Sequence, residues 1–161
     1  MITNARDFLR QTRLELDRPI KAVVRLHKAA HRDYVAGVVS GTPFDTGGAK
    51  GGWNTTLGAP SDAKTGRKDR SGAETIAANL AAIAPLQDVG VSYTQNAEEH
   101  MVVLDQGLFT PPNPGPSKDP RPERFNRVLV SGGFSLQAPR GVTDVVADQV
   151  EAKYEAIAAR T

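Results

Sequence analysis

The sequence predicts an α+β protein: a long N-terminal helix or helix pair and a C-terminal helix packed on a small antiparallel sheet, with a Pro-rich extended loop. Three observations predict it. Apolar residues recur at three- and four-residue spacing near both ends of the chain, the signature of one-faced helices. Two short runs, 53–57 and 88–94, have strand composition. Between them and the last helix lie six closely spaced prolines, which forbid regular structure. Helices packed on one face of a sheet are the natural way to bury such a set.

Residues 4–16 read as helix, with Phe8, Leu9 and Leu16 among the apolar positions. Pro19 suits the first turn of a second helix capped by Asp17, so residues 1–40 form either one kinked helix or two. The pattern continues to about Val39. Ile20, Val23, Val24, His27, His31, Tyr34, Val35 and Val38 form one stripe. Pro43 then fixes its own φ and drives Thr42 from helical geometry, ending the helix. Asp45 and Thr46 can turn side-chain oxygens onto nearby backbone N–H groups, and Gly47 and Gly48 supply positive φ.

Trp53–Leu57 reads as a strand whose Asn54, Thr55 and Thr56 suggest a side that stays wet or meets a partner. Residues 58–72 have loop composition. Residues 73–84, rich in Ala with Ile76, Leu80 and Ile83, suit a helix. Asp88–Thr94 alternates as a strand, and Glu98–Gln106 is a short helix ended by Gly107. Pro111, Pro112, Pro114, Pro116, Pro120 and Pro122 mark an extended arm, and Val128–Val130 a short strand. The last helix starts near Val142 or Thr143. Val142, Val145, Val146, Val150, Tyr154 and Ile157 share one face; Asp144, Asp148, Glu151 and Glu155 form a separate acidic stripe. The whole reads as one domain over 1–161: a helical region 1–41, an α+β core 42–107, a Pro-rich insertion 108–133 and a C-terminal helix 134–161.

Composition narrows the function classes. The 161 residues carry a net charge of +2 and no cysteine, so disulfides and thiolate metal sites are excluded. No apolar run is long enough to cross a bilayer, and the N-terminus lacks the apolar core of a signal peptide. The charge is unevenly placed: Arg6, Arg10, Arg13, Arg18, Lys21, Arg25, Lys28 and Arg32 make the first forty residues basic, against the acidic last twenty. Two solvated faces account for this, or charge complementarity within one chain or between neighbours.

Catalytic readings fare poorly. His27 and His31 share a helix face, but Lys28 stands where a zinc peptidase needs Glu and no third ligand is evident, so a packed or interface pair is expected. Gly58–Thr65 approaches a phosphate loop, but Ala63 replaces its second glycine and no apolar helix follows. Asp45-Thr46-Gly47 matches the tripeptide of aspartic peptidases but occurs once, without their hydrophobic strand context. Lys64, Arg67, Lys68 and Arg70 form a basic cluster able to touch phosphates, without the aromatic residues of single-strand binders. No catalytic, cofactor or metal residue is expected.

Three ordered segments carry a family resemblance. Thr42-Pro43, Asp45-Thr46-Gly47, Lys50 and Trp53 stand as in a tail-component family of long-tailed bacteriophages, small tail-completion or neck proteins of the head–tail junction. Asn96 through Leu104-Asp105-Gln106-Gly107 resembles a second segment of that family, and Gln137-Ala138-Pro139-Arg140-Gly141-Val142 resembles its entry into the last helix. The chain departs at Gly48, where a larger residue is usual, at Asp105 in place of Glu, near His100, where Tyr is common, and in the 108–133 insertion. The resemblance implies the same α+β architecture and a non-enzymatic virion protein, assembled in the host bacterial cytoplasm. It also implies a homo-oligomeric ring of six copies, with the head–tail connector and the tail tube or tail terminator as neighbours. Contact with genomic DNA would be transient and non-specific, and no membrane is involved. The Pro-rich stretch would serve as an assembly arm. The alternative is a small DNA-binding accessory protein using the basic N-terminal helices and the 64–70 loop.

Overall fold

The computed structural model describes residues 5–43, 46–108, 130–131, 134–135 and 138–160. Phe44, Asp45, Gln137, Val128, Leu129 and all six prolines of the expected arm lie outside the described residues. The elements are α1 (Ala5–Gly41), α2 (Gly48–Gly51), β1 (Trp53–Leu57), α3 (Ala73–Ile83), β2 (Ser92–Asn96), α4 (Glu99–Asp105), β3 (Val130–Ser131), β4 (Phe134–Ser135) and α5 (Thr143–Ala158). The fold is α+β, as the sequence predicts.

The N-terminal region is one helix, not two: α1 runs unbroken through Pro19. Its buried residues are Val24, His31, Val35, Val38 and Val39. Val23, placed on the stripe by spacing, is 48% exposed, and Val39 takes a core position instead. Thr42 closes the helix, its backbone N–H and its hydroxyl both donating to the Val38 carbonyl at 3.0 and 2.6 Å. Pro43 follows and cannot continue the ladder.

β1 and β2 pair antiparallel from Trp53↔Asn96 to Leu57↔Ser92. β1 sits where the sequence places it, but β2 is shifted from the expected 88–94. Val89 and Val91 are exposed, because β1 ends at Leu57 and Gly58 turns away at φ +80°, leaving nothing for 88–91 to pair with except one bond from Gly58 N–H to the Val91 carbonyl. Among the described residues the strands form two separate antiparallel pairs, this ladder and β3–β4. Val130 alone of the expected 128–130 strand lies in β3 among the described residues.

The core joins Val35, Val38 and Val39 of α1 with Trp53, Met101, Leu104, Ala138, Val142 and Val146. Each large side chain so buried stabilises by about 1.5–3 kcal/mol. α3 packs on β1 and α1, and α5 lies along α1. Gly37 makes that helix pair possible: a Cβ there would sit 2.5 Å from Val146 Cγ1. Of the expected α5 face, Val142 and Val146 are buried, Val145, Val150 and Tyr154 are half-buried, and Ile157 is exposed.

Candidate functional site

The residues quoted for the family resemblance, where described, form one interlocked unit. Trp53 is its centre, 2% exposed, with its indole N–H donating 2.9 Å to the Thr42 hydroxyl. Its carbonyl accepts from Arg67 Nη2 at 3.1 Å and Asn79 Nδ2 at 3.0 Å. Gly47 has φ +89° and starts the single turn of α2, while Thr46 is exposed and its hydroxyl accepts a long bond from Gly48 N–H. Gly48 is helical rather than at positive φ, a correction to the expected pair: one left-handed residue suffices to reverse the chain. Asn96 Nδ2 donates 2.7 Å to the Ala49 carbonyl, tying the second segment to the first.

The second and third segments meet at Asp105. Its Oδ1 accepts from the Val142 and Thr143 N–H groups at 2.7 and 2.9 Å, and its Oδ2 accepts from the Thr143 hydroxyl. It thereby caps α5 from another helix, meeting the orphan donors at the helix start. The burial that opposes its charge is outweighed by these donors, which hold its pKa below the usual carboxylate range. Gly107, at φ +67°, ends α4 with Leu108 N–H on the Val103 carbonyl, and a Cβ there would strike the Phe134 ring. Leu104 and Ala138 are core residues, Pro139 is exposed, and Gly141 turns at φ +77° against the Asp105 carbonyl. Asp105→Ala is expected to lower stability by about 0.5–2 kcal/mol and to fray the start of α5; amide hydrogen exchange at Val142 and Thr143 checks it.

Asp69 was hidden from the sequence reading inside a basic loop. It is buried, and its carboxylate accepts from Ser71 Oγ, Gly72 N–H and Thr75 N–H, each at 2.8 Å. The Thr75 bond, with Ser71 and Gly72, holds its pKa far below the usual carboxylate range. The signal was present: Asp69 and Ser71-Gly72 just before an alanine run are helix-start residues. The same loop turns Arg67 inward onto Trp53, while Lys64, which pairs with Glu99 at 3.3 Å, Lys68 and Arg70 stay exposed.

A cleft of about 470 Å³ opens between α1, β2 and α5, lined among others by His27, His31, Tyr34, Ser92, Glu151 and Tyr154. A chain of polar groups runs inward from it. His27 Nε2 lies 2.8 Å from Ser92 Oγ, Ser92 Oγ 3.4 Å from His31 Nδ1, and His31 Nε2 3.3 Å from Thr55 Oγ1. Thr55 donates to Asn79 Oδ1 at 2.6 Å and has Thr94 Oγ1 3.0 Å away. Because the Thr55 proton is committed to Asn79, His31 Nε2 donates to Thr55. Burial and nearby His27 lower the His31 pKa and favour the neutral imidazole, in which Nδ1 accepts from Ser92. Thr55, expected on the wet side of β1, is 4% exposed; this network satisfies its hydroxyl. Likewise the buried face of α3 is Thr75, Asn79 and Ile83, with Ile76 and Leu80 only half-buried.

A serine between two imidazoles resembles a nucleophile site, but such a site needs a group orienting the base. Among the described residues no carboxylate hydrogen-bonds either imidazole, and no group of three or more potential ligands could hold a metal. What the chain of bonds does is lock α1 to β1, β2 and α3. No described helix is long and apolar enough to cross a membrane. Comparison with protein-family models, curated proteins and solved structures gives no match to this chain.

Proposed function

We propose that this is a structural virion protein of a tailed bacteriophage, a tail-completion or neck component that assembles as a ring at the head–tail interface and performs no catalysis. One observation carries the reading. The three segments that resemble the phage family, far apart in sequence, fold onto each other through Asn96–Ala49 and Asp105–Val142/Thr143. That they form the frame of one small module is what supports the reading. The histidine–serine cleft has hydrogen bonds that serve packing, which agrees with a non-enzymatic role.

The test is to locate the protein in particles. Labelled protein imaged in intact phage-like particles is expected as a ring at the top of the tail. A purified protein that forms a stable dimer and is absent from particles overturns the proposal. DNA binding, the second reading, would appear as salt-sensitive association of purified protein with duplex DNA.

A further inference from the structure

Among the described residues, no element packs over the N-terminal half of α1. At 1.5 Å per residue α1 is about 55 Å long and α5 about 24 Å. α5 runs antiparallel to α1, with Val142 beside Gly41, Val146 against Gly37, and Lys153 and Tyr154 bonded to Asp33. It is therefore spent near the middle of α1. No residue of α1 before Val24 is buried. Phe8, Leu9, Leu14 and Leu16 are each more than half exposed, on a rod that also carries Arg6, Arg10 and Arg13.

The acidic stripe of α5 is equally uncovered. Asp144, Asp148, Glu151 and Glu155 are all exposed, with the exposed Ala147 and Ala152 between them. Among the described residues none of the four pairs with a cation of α1; the ion pair that joins the two helices has the acid on α1, Asp33, and the base on α5, Lys153, at 2.6 Å. Among the described residues, then, the basic half of α1 and the acidic stripe of α5 do not neutralise each other.

We propose that the exposed half of α1 docks on the acidic face of α5 of a second copy of this chain. The charges match in period as well as sign. Arg6, Arg10 and Arg13 follow the steps of four and three that also separate Asp144, Asp148 and Glu151, so both sets lie along one helix face. The small alanines let another helix approach closely. Because the two surfaces differ, the contact is heterologous and propagates from copy to copy, closing into a ring where the rotation allows. This rests on the ring reading above and names the surfaces that would build it.

Charge exchange tests it with the purified full chain. Wild type is expected to associate with rising concentration at low salt and to dissociate as salt rises. Triple reversal of the rod (R6E, R10E, R13E) or of α5 (D144K, D148K, E151K) is expected to raise the half-association concentration at least tenfold. Mixing the two variants, or combining all six changes in one chain, is expected to restore association. Every altered residue is exposed, and a thermal melt checks that each variant folds. Association that survives either reversal, or that fails to return in the mixture, overturns the proposal. So does a wild type that remains monomeric to millimolar concentration, including one whose rod instead binds duplex DNA. Wild type that associates through these faces yet is absent from particles defeats the phage reading alone. A ring in particles that is unaffected by the reversals defeats this contact alone.

Discussion

Replacing Trp53 by alanine is expected to destabilise the protein by about 3–5 kcal/mol, measured by denaturant unfolding. The side chain sits at 2% exposure among Val35, Val38, Val39, Met101 and Leu104, so its removal opens a cavity in the middle of the core. It also takes away the donor that meets the Thr42 hydroxyl at the end of α1. Trp53→Phe keeps most of the apolar volume but not that donor, and should fall between wild type and alanine. A Trp53→Ala loss within about 1 kcal/mol, well below the usual range for aromatic truncation in a core, would mean that the indole does not hold the core together.

The second large effect is expected at Asp69. Asp69→Ala strands the Gly72 and Thr75 N–H donors at the start of α3, at about 1.5–3 kcal/mol for charge-assisted bonds. Asp69→Asn recovers part of the loss, since an amide oxygen still accepts but the NH₂ faces other donors. The pH dependence follows from the sign of the shift. The folded pKa is depressed, so the unfolded chain binds the proton more readily and stability falls as pH drops below about 4, the ordinary aspartate value. Asp105 adds to the same window. His31, whose folded pKa is also depressed, acts earlier: stability is full above its unfolded value near 6.5 and declines as pH falls from there. Acid unfolding of wild type should therefore begin below about pH 6.5 and steepen below about 4. In Asp69→Asn the lower limb is expected to flatten, while the upper one remains.

What the sequence made legible were features punctuated locally. Pro43 ends α1, the glycines around 47–52 lead into β1, and Gly107 stops α4, each through a residue whose backbone preferences act on its immediate neighbours. What it hid were partners supplied from a distance. Asp105 caps a helix that starts nearly forty positions later, and nothing near Asp105 signals it. Thr55 reads as part of a wet or partner-facing side of β1 because polarity alone does not reveal that its hydroxyl finds Asn79 inside. The shift of β2 has a similar origin: alternation in 88–94 satisfies the strand pattern, but the length of β1 decides which residues are paired. Burial of polar groups and strand register are properties of pairs, and one-dimensional periodicity sees single residues.

The bonds between Asp105 and the start of α5 also bear on how this chain can vary. They pin the point where the chain leaves α4 beside the point where it enters α5. A connection whose two ends are anchored in this way has a closure entropy that grows only with the logarithm of its length, about 0.6 kcal/mol for each doubling. Length there is close to a neutral trait. Natural variants should differ in residue number within the Pro-rich stretch 108–124 more than anywhere in 46–107, and an epitope tag inserted in that stretch should leave the melting temperature nearly unchanged.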